Sequence, residues 1–256
     1  MSSRVLTRRQ MLLRASSVFG GLLLAGCDRL TMAPSFQRVL DSAESLTYRS
    51  QRLVVGRTTL AREFSESDLS PVFRSNGTSY PDTDVYARLL ASNFTNWQLA
   101  IGGLVAKPLA LSLADLQRLQ SRTQITRHDC VEGWSAIGKW TGVPLSIVLN
   151  MAQLLPHARY VVFYCADALE SDADTYYESI DLLDAYHPQT ILAYALNGKP
   201  LPVKNGAPLR LRVERQLGYK QAKYLMGIQV VDHLESIRGG KGGFWEDRGY
   251  EWYAGI

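Results

Sequence analysis

At 256 residues and 46% hydrophobic, the chain can bury one substantial core, and its composition excludes a disordered, repetitive or collagen-like polymer. The formal net charge of +4 comes from one end. Met1 to Gly26 hold Arg4, Arg8, Arg9 and Arg14 and no acid, and setting these aside leaves 24 basic against 24 acidic residues. A neutral remainder has no global field with which to hold nucleic acid.

The opening reads as an address. A basic stretch leads into an apolar run from Ala15 to Ala25, shorter than the ~20 residues a membrane-spanning helix needs. Thr7-Arg8-Arg9-Gln10-Met11-Leu12-Leu13 resembles a twin-arginine export signal, with Met11 where Phe is common and Leu13 where Lys is common. Leu24-Ala25-Gly26-Cys27 resembles a bacterial lipobox. That resemblance implies removal of residues 1–26, lipidation of Cys27 as the new first residue, and retention at the periplasmic face of the inner membrane through Asp28. Ordinary cleavage nearby, with Cys27 discarded or free, is the alternative. The twin-arginine route carries folded proteins, often with a cofactor already inserted.

Residues 27–96 read as an N-terminal wrap of short elements with turns at Pro71, Asn76-Gly77 and Pro81. The main domain, 97–256, opens with a strand in which Leu99 and Ile101 alternate with Gln98 and Ala100, ending at Gly102-Gly103. Ser112-Leu113-Ala114-Asp115 has the spacing of a helix cap with an acid at the third position, followed by Leu116 and Leu119. A short strand is predicted near Ile125 to Asp129. Pro144 suits the first turn of a helix with Ile147, Val148 and Met151 on its apolar side. Tyr160 to Cys165 reads as a buried strand, Asn197-Gly198 as a turn, Leu209, Leu211 and Val213 as an alternating strand, and Tyr224 to Val231 as a last strand. Short strands and helices without regular βαβ spacing predict an α+β fold.

Three cysteines and four scattered histidines, with no C-x-x-C, do not make a zinc site or an ordinary c-type haem attachment. Cys130 stands in Arg127-His128-Asp129-Cys130-Val131-Glu132-Gly133-Trp134-Ser135, followed by Gly138, Trp140, Gly142 and Val143-Pro144-Leu145. A second block runs Asn197 to Pro202, Asn205-Gly206-Ala207-Pro208-Leu209-Arg210 and Gly218 to Lys223. The two together resemble the sulfite-oxidase family of molybdopterin oxidoreductases, in the branch of the periplasmic methionine sulfoxide reductase catalytic subunit, from about Trp97 to Val231.

The resemblance implies a molybdenum bound by the Cys130 thiolate and by a nucleotide-free molybdopterin. A soft thiolate suits such a metal, and coordination keeps it deprotonated. It also implies cofactor contacts from Asn205, Arg210, Gln221, Ala222 and Lys223, with Arg210 and Lys223 as the pair for the terminal phosphate, and less strongly one from Lys220. By strand alternation Arg212 faces the same side as Arg210. Cys165 falls where that branch has a contacting Thr, for which a thiol is a poorer hydrogen-bonding substitute. Asn76 matches an early cofactor-binding Asn, although Asn-Gly is equally a turn signal. The implied activity is oxygen-atom or two-electron transfer on a small substrate such as a sulfoxide. The arginine-rich segment that follows the ligand cysteine in many sulfite oxidases is absent. Electrons would come from a membrane cytochrome b or a soluble cytochrome. The competing reading is a non-catalytic periplasmic binding or assembly lipoprotein with a Cys130–Cys165 disulfide. The aromatic tail, Phe244 to Tyr253, carries no motif and reads as packing.

Overall fold

The structure is a computed structural model and describes residues 34–56, 58–169 and 174–256. The arginine pair, the apolar run and Cys27 lie outside the described residues. The chain divides into two units, residues 1–54 and 55–256. In the first, α1 (Pro34–Val54) is a polar helix that exposes Leu46 and Leu53. No described helix is long and apolar enough to cross a membrane.

The second unit runs in chain order through α2 (Asp84–Ala91), β1 (Gln98–Gly103), β2 (Leu109–Ser112), α3 (Leu113–Arg118), β3 (Arg122–Cys130) and β4 (Trp134–Pro144). It continues through α4 (Leu145–Ala152), β5 (Tyr160–Ala168), β6 (Thr175–Asp181), α5 (Leu182–Ala185), β7 (Ile191–Leu196), β8 (Lys199–Pro200), β9 (Arg210–Arg212) and β10 (Leu225–Val231). One sheet has the order β2-β1-β10-β5-β6, in which only β1 and β10 run parallel. The other has the order β3-β4-β7-β8, with β9 also on β7. This is the α+β arrangement that the spacing predicts.

Local chemistry accounts for the boundaries. In β1, Leu99 and Ile101 are buried and Gln98 and Ala100 exposed, as their alternation requires. The Ser112 cap is reciprocal: Asp115 N donates to Ser112 Oγ at 3.1 Å and Ser112 N to the Asp115 carboxylate at 3.0 Å. Asn197 (φ 52°) and Gly198 (φ 74°) take the left-handed conformations of a two-residue hairpin turn between β7 and β8.

The helix after Pro144 corrects the sequence reading in two ways. Pro144 is its N-cap, and the buried face is Leu145, Val148, Leu149 and Ala152, leaving Met151 exposed. β3 extends beyond Ile125 to Asp129 at both ends, and its inward positions Gln124, Thr126 and His128 are polar, so hydrophobic alternation does not mark its length. β4, β6 and β7 add strands that hydrophobic alternation alone does not reveal. In β4, Gly142 lies where a Cβ would meet Leu192 O at 2.2 Å, so the close approach of β7 requires glycine there.

Candidate active site

Cys130 is the last residue of β3, paired with Trp134 across a tight turn in which Gly133 (φ 84°) returns its N–H to Cys130 O at 3.0 Å. The side chain opens into a cleft of about 260 Å³ whose walls also include Asn76, Thr78, Asp167, Gln221 and Lys223. Burial holds the Cys130 thiol above its ordinary range. A bare thiolate is therefore disfavoured here, and a metal cation is the kind of partner that would restore it.

A loop at Ser75–Thr78 forms one wall. Lys223 Nζ donates to Asn76 O at 2.6 Å and also to Thr78 O, while Gly77 N reaches Glu132 Oε1 at 3.3 Å. Glu132 in turn accepts from Trp134 Nε1 at 2.9 Å. Burial and the nearby Arg210 press Lys223 down to about 7. Across the cleft, burial pushes the Asp167 carboxyl up to about 6.

The floor is built from β9. Arg210 and Arg212 are both fully buried, their guanidinium carbons 5.0 and 4.5 Å from the Trp140 ring centre. They do share a face, as alternation predicts. Arg210 donates to Asn205 O at 3.0 Å and Gln221 O at 3.2 Å, leaving Nε without a partner. Arg212 forms a two-point bridge to Glu214, at 3.0 and 2.6 Å, and donates to His128 Nδ1 at 2.9 Å. Burial and the two arginines keep His128 well below its usual range, hence neutral. A Cβ on Gly218 would stand 2.5 Å from His128 Nε2, so only glycine lets this turn approach β3.

Of the residues singled out from sequence, Asn76, Cys130, Gln221 and Lys223 line one cleft. Asn205, Arg210 and Ala222 are buried behind that lining. Cys165 lies on β5 in the other sheet and borders a separate hollow with Asp84 and Met226. Both thiols are free, so the Cys130–Cys165 disulfide is not formed. Lys220 is fully buried between Glu178 and Glu246. Asp167, Tyr176, Trp245 and Tyr250 line the cleft and were not anticipated, while Tyr219 enters it from the Gly218–Lys223 block. An acid inside the apolar stretch Tyr160–Ala168 was the one available signal for Asp167.

Whether the cleft suits a polar occupant is decided by its unpaired atoms. Asn76 Oδ1 is buried without a hydrogen-bond partner in the protein, and Asp167 Oδ1 and Gln221 Oε1 have none of full geometry, with Thr78 and His128 as the polar neighbours of these two side chains. Each such atom costs ~1–3 kcal/mol if left dry. Amide groups for a heterocycle's edge, an ammonium for an anion and a thiol for a soft metal make a coherent donor set. The fold and cleft define a protein built to hold a polar, anionic cofactor over a single cysteine.

The chain belongs to the oxidoreductase molybdopterin binding domain family, whose model matches residues 87–237. It is 37% identical over 251 residues to a provisionally named protein-methionine-sulfoxide reductase subunit, YedZ1, of Azospira oryzae, covering 98% of this chain and 88% of that one. It is 33% identical over 235 residues to the protein-methionine-sulfoxide reductase catalytic subunit MsrP of Xanthomonas axonopodis pv. citri, covering 88% and 70%. Among solved structures, the sulfane dehydrogenase SoxCD from Paracoccus pantotrophus superposes with a TM-score of 0.50 at 26% identity, over 55% of this chain and 40% of that one. The protein is thus a molybdopterin-dependent oxidoreductase of the sulfite-oxidase type.

Proposed function

We propose that this enzyme is an exported reductase of sulfoxides, methionine sulfoxide foremost, with Cys130 as the protein's ligand to molybdenum. The observation that carries the reading is Cys130 at the end of β3, opening into a cleft with unpaired amide and carboxyl oxygens and a buried lysine. The names of the two methionine-sulfoxide reductase relatives support the substrate class.

The bound metal supplies two-electron chemistry at the sulfoxide oxygen. Overall, one sulfoxide takes up two electrons and two protons and yields a thioether and water. The chain's own residues bind and orient. Asn76 and Gln221 would meet the pterin, which we take in its nucleotide-free form, through their amide oxygens, since the Gln221 amide N–H groups are held by Val213 O and Gln216 O. Lys223 would answer its phosphate by giving up part of its bonding to the Asn76 and Thr78 carbonyls, with Arg210 and Asn205 behind. Asp167, held protonated into the mildly acidic range, stores a proton at its carboxyl in the cleft wall. Among the described residues no three His, Cys, Asp or Glu side chains gather into a metal cage, which suits a metal whose remaining ligands come from the cofactor. Electrons arrive from an external carrier, a membrane cytochrome b or a soluble cytochrome. Lipidation at Cys27 holds the enzyme at the periplasmic face of the inner membrane.

The test is purification of the exported protein with metal and pterin analysis, followed by sulfoxide reduction with an artificial electron donor. About one molybdenum per chain with a nucleotide-free pterin is expected. Cys130→Ser should remove turnover and alter the metal's ligand-field spectrum while the fold persists. A dinucleotide pterin, stoichiometric zinc, or full turnover in Cys130→Ser overturns the assignment.

A further inference from the structure

The family match ends at residue 237, yet the cleft wall continues into the chain beyond it, where Trp245 and Tyr250 line the same cleft as Cys130. We propose that Trp245 and Tyr250 form an aromatic subsite that reads the alkyl arm of the sulfoxide substrate, with Glu246 as the residue that positions it. This rests on the sulfoxide-reductase reading above.

The tail is held as firmly as a core element. Glu246 is fully buried, and its carboxylate meets the Lys220 ammonium, which Glu178 of β6 also engages. Phe244 N donates to Tyr177 O at 3.0 Å, and the Arg248 guanidinium lies 3.7 Å from the centre of the Phe244 ring. Tyr250 N then donates to Trp245 O at 3.0 Å, closing a turn that sets the two rings side by side, 5.3 Å between centres and inclined by 37°. Tyr219, from the turn that carries Lys220, meets Tyr250 edge-on at 5.3 Å. Lys220 thus joins its own turn to β6 and to the tail, three parts of the chain that line the cleft.

Cys130 and Asp167 are 8% and 4% exposed, whereas the cleft wall reaches the surface at Val131, 49% exposed, and at Tyr250, 39% exposed. The aromatic pair therefore borders one opening of a cleft whose cysteine lies below the surface. A sulfoxide entering by that opening with its oxygen toward Cys130 lays its longer substituent along the cleft-facing side of these rings. For methionine sulfoxide that substituent is a two-methylene arm, a good match for aromatic faces, and its sulfur gains from ring contacts on the way in. Dimethyl sulfoxide lacks the arm and cannot use these rings.

The experiment compares KM for methionine sulfoxide with KM for dimethyl sulfoxide in the molybdenum-loaded enzyme. In Trp245→Ala the ratio of the two should rise roughly tenfold, the scale at which a pocket distinguishes one or two methylenes. Tyr250→Leu, at a half-open position where the fold tolerates change, should raise it roughly threefold. Binding of methionine sulfoxide without reductant, followed by tryptophan quenching, should weaken by a similar factor in Tyr250→Leu, with molybdenum content equal to the parent's. Glu246→Gln should move the ratio in the same direction, because the turn loses its ionic anchor. A ratio within twofold of the parent's in both Trp245→Ala and Tyr250→Leu overturns the proposal. A parent enzyme that reduces neither sulfoxide overturns the function on which it rests, and this subsite with it.

Discussion

Asp167 and Lys223 titrate in opposite senses within one cleft, and the sign of each is fixed by burial. The Asp167 carboxyl, pushed up to about 6, keeps its proton in the folded chain after the unfolded chain has lost it near 4. Between those values the folded state binds more protons, so stability falls as pH rises. Lys223, pressed down to about 7, sheds its proton before the unfolded chain does, so its contribution rises with pH above 7. A phosphate against Lys223 reverses that tendency, because a neighbouring anion favours the ammonium. In cofactor-free protein, Asp167→Asn should therefore raise the Tm at pH 7 by less than the carboxyl's own shift implies, because the Asp167 carboxylate also supports the neighbouring Lys223 ammonium. It should also flatten the decline between pH 4 and 6. Thermal unfolding of parent and variant across that range checks this, and the difference between them isolates Asp167 from Glu178, which burial also raises. Parallel pH curves would show that the Asp167 proton plays no part.

Strands whose inward positions are polar explain why some elements were legible in the sequence and others were not. β1 and α3 follow from alternation and a capping pair, and the turn at Asn197-Gly198 from its dipeptide. β3 escaped full reading because Gln124, Thr126 and His128 point inward, and their burial depends on partners far along the chain: Glu214 for Gln124 and Arg212 for His128. β9 carries the same lesson. Leu209, Leu211 and Val213 mark one buried face, but nothing local says that Arg210 and Arg212 are buried on the other, over Trp140 from β4. The Cys130 and Asn205–Lys223 blocks located most of the polar end of the cleft. The Trp245 and Tyr250 part of the wall lay in the tail that carried no motif. Arg212→Ala leaves Glu214 as a buried charge without its main partner, which should destabilise the fold by about 3–5 kcal/mol. Adding Glu214→Gln should recover much of that loss, since the orphaned charge is gone. Urea unfolding of the single and double variants measures both, and a double variant no more stable than the single would refute the ion-pair account.

The cleft draws on residues from Asn76 to Tyr250, so at the scale of the molecule it cannot exist until nearly the whole chain has folded. Cys130 comes from the sheet of β3, Asp167 from the other sheet, and Trp245 from the tail that Lys220 anchors. Unpaired atoms at its centre leave the empty cleft under-satisfied, and an occupant that binds only the folded state stabilises it by mass action, about 4 kcal/mol at a thousandfold excess over Kd. Cofactor loading and completion of the fold are thus coupled events, and a translocation route that threads unfolded chain would separate them. That is the physical argument for reading Arg8-Arg9 as part of a signal for export of folded protein. Arg8→Lys with Arg9→Lys should leave uncut precursor in the cytoplasm, already holding molybdenum at the parental ratio. Exchange of residues 1–26 for a signal that directs unfolded chains should give the opposite, exported protein without metal. Cell fractionation with metal analysis of each fraction reads both arms. Metal-loaded enzyme in the periplasm from the exchanged signal would show that loading does not depend on folding before export.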